Sequence, residues 1–238
     1  MGNNICVFGD SHTYGDGLKD CSMEKPWEQH SHSSWPYYMF QKKNIKNFAY
    51  PGCSNDIISL KLIRHVSKND TALIMFTYPE RLHVTRSGYN FSASHNFNIS
   101  VSDNGKENWI AKQLAIKFED KHKKLIAEYF DDNLLEILFL KNILFCQSFC
   151  ISNNINYYFT MVDFRKKEKA GGSVSKFRDS LYKTIDWTKI FLVDGKYGFS
   201  NYAKTIEAGV GLDNEHWDEN YHQTFGKLFL KFIKDSDI

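Results

Sequence analysis

The chain has 238 residues, 42% of them hydrophobic and 24% charged, enough for one large domain with a sizeable core or at most two small ones. Lys and Arg number 30 against 28 Asp and Glu, so the formal charge of +2 gives no electrostatic footprint for nucleic acid. Aromatic residues at 16% exclude a disordered chain, and four prolines with 14 glycines exclude collagen-like and low-complexity classes.

The first apolar run, residues 5–8, reads as a strand and follows no basic region or long apolar leader, so no signal peptide is expected. Further strand candidates, short and rich in β-branched or aromatic residues, are 45–48, 72–77, 157–162 and 190–193. Helical stretches lie between them at 35–42, 57–66, 109–152 (hinged near Asp131-Asp132-Asn133), 174–185 and 219–233. The most apolar of these, 134–149, is interrupted by Glu136, Lys141, Asn142 and Gln147, and is expected to be a buried helix rather than a membrane span. Strands alternating with helices predict an α/β fold: a three-layer α/β/α sandwich with a central five-stranded parallel sheet, spanning 1–238 as a single domain. Residues 82–108 break the rhythm. They are polar and aromatic, with turn signals at Ser87-Gly88 and Asp103-Asn104-Gly105, and predict an inserted hairpin or flap after the third strand.

Five cysteines, an odd number without a CxxC pair, predict buried thiols in a reducing compartment. With the missing leader, they place the protein in the cytoplasm by expectation. Met1-Gly2 does not extend to a myristoylation motif, because Cys6 stands where Ser or Thr is needed.

Chemistry gathers at the carboxyl ends of the predicted strands, where parallel sheets place their sites. The first strand runs into Gly9-Asp10-Ser11-His12-Thr13-Tyr14-Gly15. A small residue before a serine at a strand-to-helix turn lets the hydroxyl stand free, beside backbone N–H groups that can hold a developing oxyanion. The bland alternative is a helix-capping turn. Near the other end of the chain, Asp213-Asn214-Glu215-His216 puts a carboxylate three residues before an imidazole, just ahead of the last helix. That spacing lets the aspartate hold Nδ1–H while Nε2 faces a serine.

Together these residues resemble the SGNH (GDSL-type) hydrolase family. Its first block is matched by Gly9-Asp10-Ser11 with Thr13 and Gly15. Its last block is matched by Asp213 and His216, with His222 where members often carry a second, structural histidine. The second block resembles Asn47-Phe48-Ala49-Tyr50-Pro51-Gly52-Cys53-Ser54, in which Gly52 takes the place of the oxyanion glycine. The third block departs. The family has Gly-x-Asn-Asp, and here the strand ends Thr77-Tyr78-Pro79-Glu80-Arg81, with proline in the asparagine's place. Proline brings neither a side-chain donor nor an N–H. Asn55, Thr77 and Arg81 are the candidates to replace it, with Asn55 first because it closely follows Gly52. Such an ending resembles divergent SGNH-like proteins of phages and environmental bacteria.

The resemblance implies an esterase in which Ser11 is the nucleophile, His216 the base and Asp213 its orienter. Ser11 and Gly52 N–H groups would hold the oxyanion, with Asn55. Asp10, Thr77, Arg81 and His222 would support the site from behind. The substrate class implied is an acyl ester on a small molecule or glycan, with no cofactor, no metal and no nucleic-acid partner. Two other readings stay open: a binding or structural protein that keeps the scaffold without catalysis, and a flavodoxin-like nucleotide binder. The second lacks a phosphate loop, since no Gly-Lys-Ser/Thr follows Gly15. Glu28-Gln29-His30-Ser31-His32 is a weak metal signal without a further acidic or Cys partner. The basic run 165–169 reads as a solvated loop.

Overall fold

A computed structural model describes residues 4–21, 29–40, 44–84, 97–100, 132–164 and 173–236. Four strands form a parallel sheet in the order β2-β1-β3-β6: β1 (Ile5–Phe8), β2 (Ile45–Asn47), β3 (Thr71–Phe76) and β6 (Asn156–Met161). Register is continuous, with Ile5 opposite both Ile45 and Thr71, and Thr71 opposite Asn156. The sheet is therefore one strand short of the expected five. Residues 190–193 contribute a single parallel bridge, Phe159 to Ile190. There the Phe191 N–H donates to the Phe159 carbonyl, but the Thr160 hydroxyl takes the Phe191 carbonyl that a ladder would need. The chain then turns at Asp194 and Gly195, both at positive φ. Apolar patterning still holds, for Ile190, Phe191 and Val193 are all buried.

Alternation along the strands builds two cores. Cys6, Phe8, Ala72, Ile74, Phe76 and Phe159 point into one, against Ile58 and Leu62 of α3 (Asn55–His65) and Leu140, Ile143, Cys146 and Cys150 of α4 (Asp132–Ser152). Leu181 of α5 (Ser173–Thr184) closes that layer. Val7, Leu73, Met75 and Tyr158 point the other way, against Trp35 and Met39 of α2 (Trp35–Met39) and Phe199 of α6 (Phe199–Thr205). Phe225 and Phe229 of α7 (Glu219–Ser236) complete that layer. Each fully buried Phe contributes on the order of 2 kcal/mol of transfer free energy. The expected α/β/α layering is thus present.

Two expectations meet particulars. Helix α4 is long and apolar enough to cross a membrane by length and composition, alone among the described residues, where the sequence showed no uninterrupted run. Half of that stretch is buried inside the protein, and its buried polar residues Glu136 and Gln147 are partnered. Glu136 accepts from Arg178 at 3.3 Å and from Tyr182 at 3.1 Å, while Gln147 bonds both backbone groups of Asp186. The insertion begins as a hairpin, β4 (Arg81–Val84) paired antiparallel with β5 (Phe97–Ser100). The rest of 82–108, the proposed helix over 109–131 and the basic run 165–169 lie outside the described residues. All five cysteines are buried and unpaired.

Candidate active site

Ser11 opens a one-turn helix, α1 (Ser11–Tyr14), directly beyond β1. Asp10 caps that turn by accepting the His12 N–H at 3.1 Å, and Gly15, at φ 92°, ends it by donating to the Ser11 carbonyl at 2.8 Å. A left-handed residue is needed at Gly15 to turn the chain that sharply, which is why glycine stands there. The Ser11 side chain makes no hydrogen bond among the described residues. Neither does its backbone N–H.

The second block is pinned to the first. Tyr50 N–H donates to the Gly9 carbonyl at 3.2 Å, and Asn47 Nδ2 donates to the Thr13 carbonyl at 3.1 Å. Gly52 follows in this turn at φ 72°, and its N–H is likewise unused by the fold among the described residues. Two uncommitted backbone donors therefore flank the serine turn.

The last block is a short loop closed on itself. Gly211 N–H donates to the His216 carbonyl at 2.6 Å, and Val210 bridges Trp217. Asp213 Oδ1 accepts the N–H groups of Glu215 and His216, both at 3.0 Å, and Oδ2 meets His216 Nδ1 at 2.5 Å. Burial works against the Asp213 charge, but those N–H donors and the imidazole more than offset it, so its pKa lies below the usual carboxylate value. With Nδ1 facing the carboxylate, Nε2 is the nitrogen left to act as base. The loop is docked on the serine turn: Leu212 N–H donates to the Gly17 carbonyl at 2.8 Å, and the His216 ring meets His12 edge-on at 5.1 Å. His216 thus stands over the residue that follows Ser11.

Behind the serine, Asp10 is wholly buried and accepts Thr77 Oγ1 at 2.6 Å and Arg81 Nη1 at 2.8 Å. Burial opposes its charge, yet Arg81, His12 and Thr77 hold its pKa below the usual value. Asn55, the expected replacement oxyanion donor, is committed elsewhere. Its Oδ1 accepts the Thr77 N–H at 2.9 Å, and its Nδ2 donates to the Thr77 and Tyr78 carbonyls at 3.3 and 3.4 Å. The reason is positional: Asn55 is the first residue of α3, which packs beside the end of β3, so its amide satisfies backbone groups that the sheet leaves open. His222 is fully buried, meets Phe199 at a tilt with ring centroids 5.1 Å apart, and accepts the Trp35 N–H at Nδ1. His30 and His32 pack against Tyr37, the His32 N–H donates to Asp20 Oδ2 at 2.7 Å, and the described residues hold no cluster of three His, Cys, Asp or Glu suited to a metal. A hollow of about 290 Å³ lined by Val66, Phe149 and Ile155 lies at the amino end of β6, the far end of the sheet from Ser11.

Sequence reasoning passed over three residues of the site. His12 is buried between His216 and Phe199, its Nδ1 unpartnered, and burial lowers its pKa to about 4. Gly17 lies where any Cβ would run into the Asp213 carboxylate. Asp16, next to it, has its pKa raised to about 6, by burial first and then by Asp213 and Asp10, with His216 opposing. All three lie in or just beyond the first block, but only the folded contact with the last block marks them.

Asp16 gives a signed prediction. Its folded pKa of about 6 exceeds the 3.8 of an ordinary aspartate, so its contribution to stability is fully present below about pH 4 and is lost as pH rises through 6. Wild type is expected to lose up to about 2 kcal/mol relative to Asp16→Asn between pH 4 and 7, after discounting for partial exposure. Urea midpoints of the two proteins across that range measure it; parallel pH curves would remove Asp16 as the titrating group.

No protein-family model and no curated protein sequence matches the chain. Its structure is similar to that of a G-D-S-L family protein from Desulfitobacterium hafniense DCB-2, at 10% identity and a TM-score of 0.39 over 96% of this chain and 98% of that one. It is similar to esterase EstA from Pseudoalteromonas sp., at 12% identity and a TM-score of 0.45 over 98% and 97% of the two chains. It is also similar to phospholipase A1 from Streptomyces albidoflavus NA297, at 10% identity and a TM-score of 0.40 over 99% and 100%. At such distances the chemistry of this chain rests on its own residues.

Proposed function

We propose that the protein is a serine hydrolase acting on a carboxylic ester. The observation that carries this is the Asp213–His216 pair at 2.5 Å, docked by Leu212 and Gly17 onto the turn that presents Ser11. Ser11 Oγ attacks the acyl carbonyl carbon while His216 Nε2 takes its proton, giving a tetrahedral intermediate. Nε2 returns that proton to the departing alkoxide as the C–O bond breaks, leaving an acyl-enzyme. Water then repeats the sequence in reverse, and the carboxylic acid leaves. Asp213 holds the Nδ1–H tautomer and stabilises the imidazolium. Ser11 and Gly52 N–H groups receive the oxyanion, for which the fold leaves both unspent. In an unliganded site the serine–imidazole bond is commonly long and tightens with substrate, which accords with the free Ser11 hydroxyl.

The test is intact-mass analysis after treatment with a fluorophosphonate. Wild type is expected to take up one adduct, and Ser11→Ala none. Folded wild type that takes up no label and cleaves no ester would overturn the reading, and the replacement of the third-block asparagine by Pro79 would then favour a non-catalytic binding protein on the same scaffold.

A further inference from the structure

Pro79 leaves the third block without a side-chain donor, and the fold itself selects among the three residues able to replace it. Thr77 spends its hydroxyl proton on Asp10 Oδ2, and Asn55 spends its amide on the Thr77 and Tyr78 backbone. Arg81 is different. Only Nη1 is engaged, with Asp10 at 2.8 Å, and the remaining guanidinium N–H groups have no partner among the described residues. The side chain is 22% exposed, whereas Asp10 beneath it is sealed, so the free edge of the fork faces away from the buried carboxylate. Asp10 directly precedes Ser11, and the Arg81 charge is felt at His12, directly after it.

We propose that Arg81 is a catalytic residue, donating from its free guanidinium edge to the oxyanion formed when Ser11 attacks an ester. The inference rests on the serine hydrolase reading above. Three restraints hold the group in place before substrate arrives: the Asp10 ion pair, the Tyr78 ring 5.3 Å below the guanidinium carbon, and the Tyr78–Arg81 backbone hydrogen bond at 3.1 Å that closes the turn into β4. A donor fixed in this way stabilises developing negative charge without reorganising at the moment of reaction. A guanidinium suits the position because its planar fork serves two acceptors at once, Asp10 on one edge and the oxyanion on the other. Lysine carries three donors on one flexible point charge and has no fixed geometry that serves Asp10 and the oxyanion together.

Hydrolysis of p-nitrophenyl acetate and the rate of fluorophosphonate labelling test this, on wild type, Arg81→Lys and Arg81→Ala. Arg81→Lys keeps a cation beside Asp10, so Tm should hold while kcat falls about 10²-fold and KM changes little. Labelling should slow in parallel, since the phosphonyl oxygen occupies the oxyanion's place. Arg81→Ala leaves the buried Asp10 carboxylate without its cation, so it is assayed with added methylguanidine; recovery of kcat supports the proposal even if Tm drops. Native kcat in Arg81→Lys, or a loss in Arg81→Ala that methylguanidine does not restore, overturns it. Failure of wild type itself to label would instead strike the hydrolase reading, and the two failures are distinguished by the wild-type control.

Discussion

Ser11→Ala and His216→Ala are each expected to lower ester turnover by about 10⁴-fold or more while leaving the fold intact. Ser11 contributes its hydroxyl to no hydrogen bond among the described residues, so its removal costs the structure little. His216 is partly exposed, with a side-chain accessibility of 17%, and the one polar partner of its ring among the described residues, Asp213, keeps two backbone donors when the ring is gone. Because the two residues act as one unit, the double variant should be scarcely slower than either single one. Kinetics with p-nitrophenyl acetate alongside circular dichroism measure both halves. Additive losses, or full turnover in a folded Ser11→Ala protein, would place the chemistry elsewhere.

Gly17→Ala is the second large effect, and it acts at a distance from the reacting atoms. Gly17 has φ 77°, a conformation costing an alanine about 1 kcal/mol or more. A Cβ there lies 2.5 Å from Asp213 Oδ1 and 2.8 Å from Oδ2, so the carboxylate must move. Its displacement breaks the Nδ1 contact that orients His216, and loss of that orientation in triads costs about 10⁴ in turnover. Since Asp213 can shift partway, about a 10³-fold loss in kcat is expected, with a modest fall in Tm. The split is diagnostic: an alanine at 17 that costs stability but no kcat would mean that Asp213 does not orient the base.

Much of the architecture was written in local pattern. The runs around β1, β3 and β6 are short, β-branched or aromatic and alternate between two cores, which is why their positions came out to within a residue. Residues 190–193 carry the same signature but form only one bridge, because a strand also needs free backbone groups on its neighbour's edge and an uninterrupted path. The Thr160 hydroxyl takes the Phe191 carbonyl that the ladder would use, and the Asp194-Gly195 turn ends the path. Helix α6 was missed outright, being seven residues with no long apolar period, held by its docking: Ser200 N–H donates to the Val162 carbonyl at 2.7 Å.

The site divides in the same way. Residue type and order alone single out Ser11 after a strand, and Asp213 three positions before His216, since the chemistry of a nucleophile, a base and its orienter demands those groups. They also show that Pro79 cannot donate. Which neighbour is left free to do so is invisible in one dimension, because Asn55, Thr77 and Arg81 are all donors by type. Only the folded contacts decide it: packing of α3 against the end of β3 consumes Asn55, and the buried Asp10 charge consumes Thr77 and one edge of Arg81. A hydrogen-bond donor can be spent elsewhere in the fold, and how it is spent is set by residues tens of positions away in the chain.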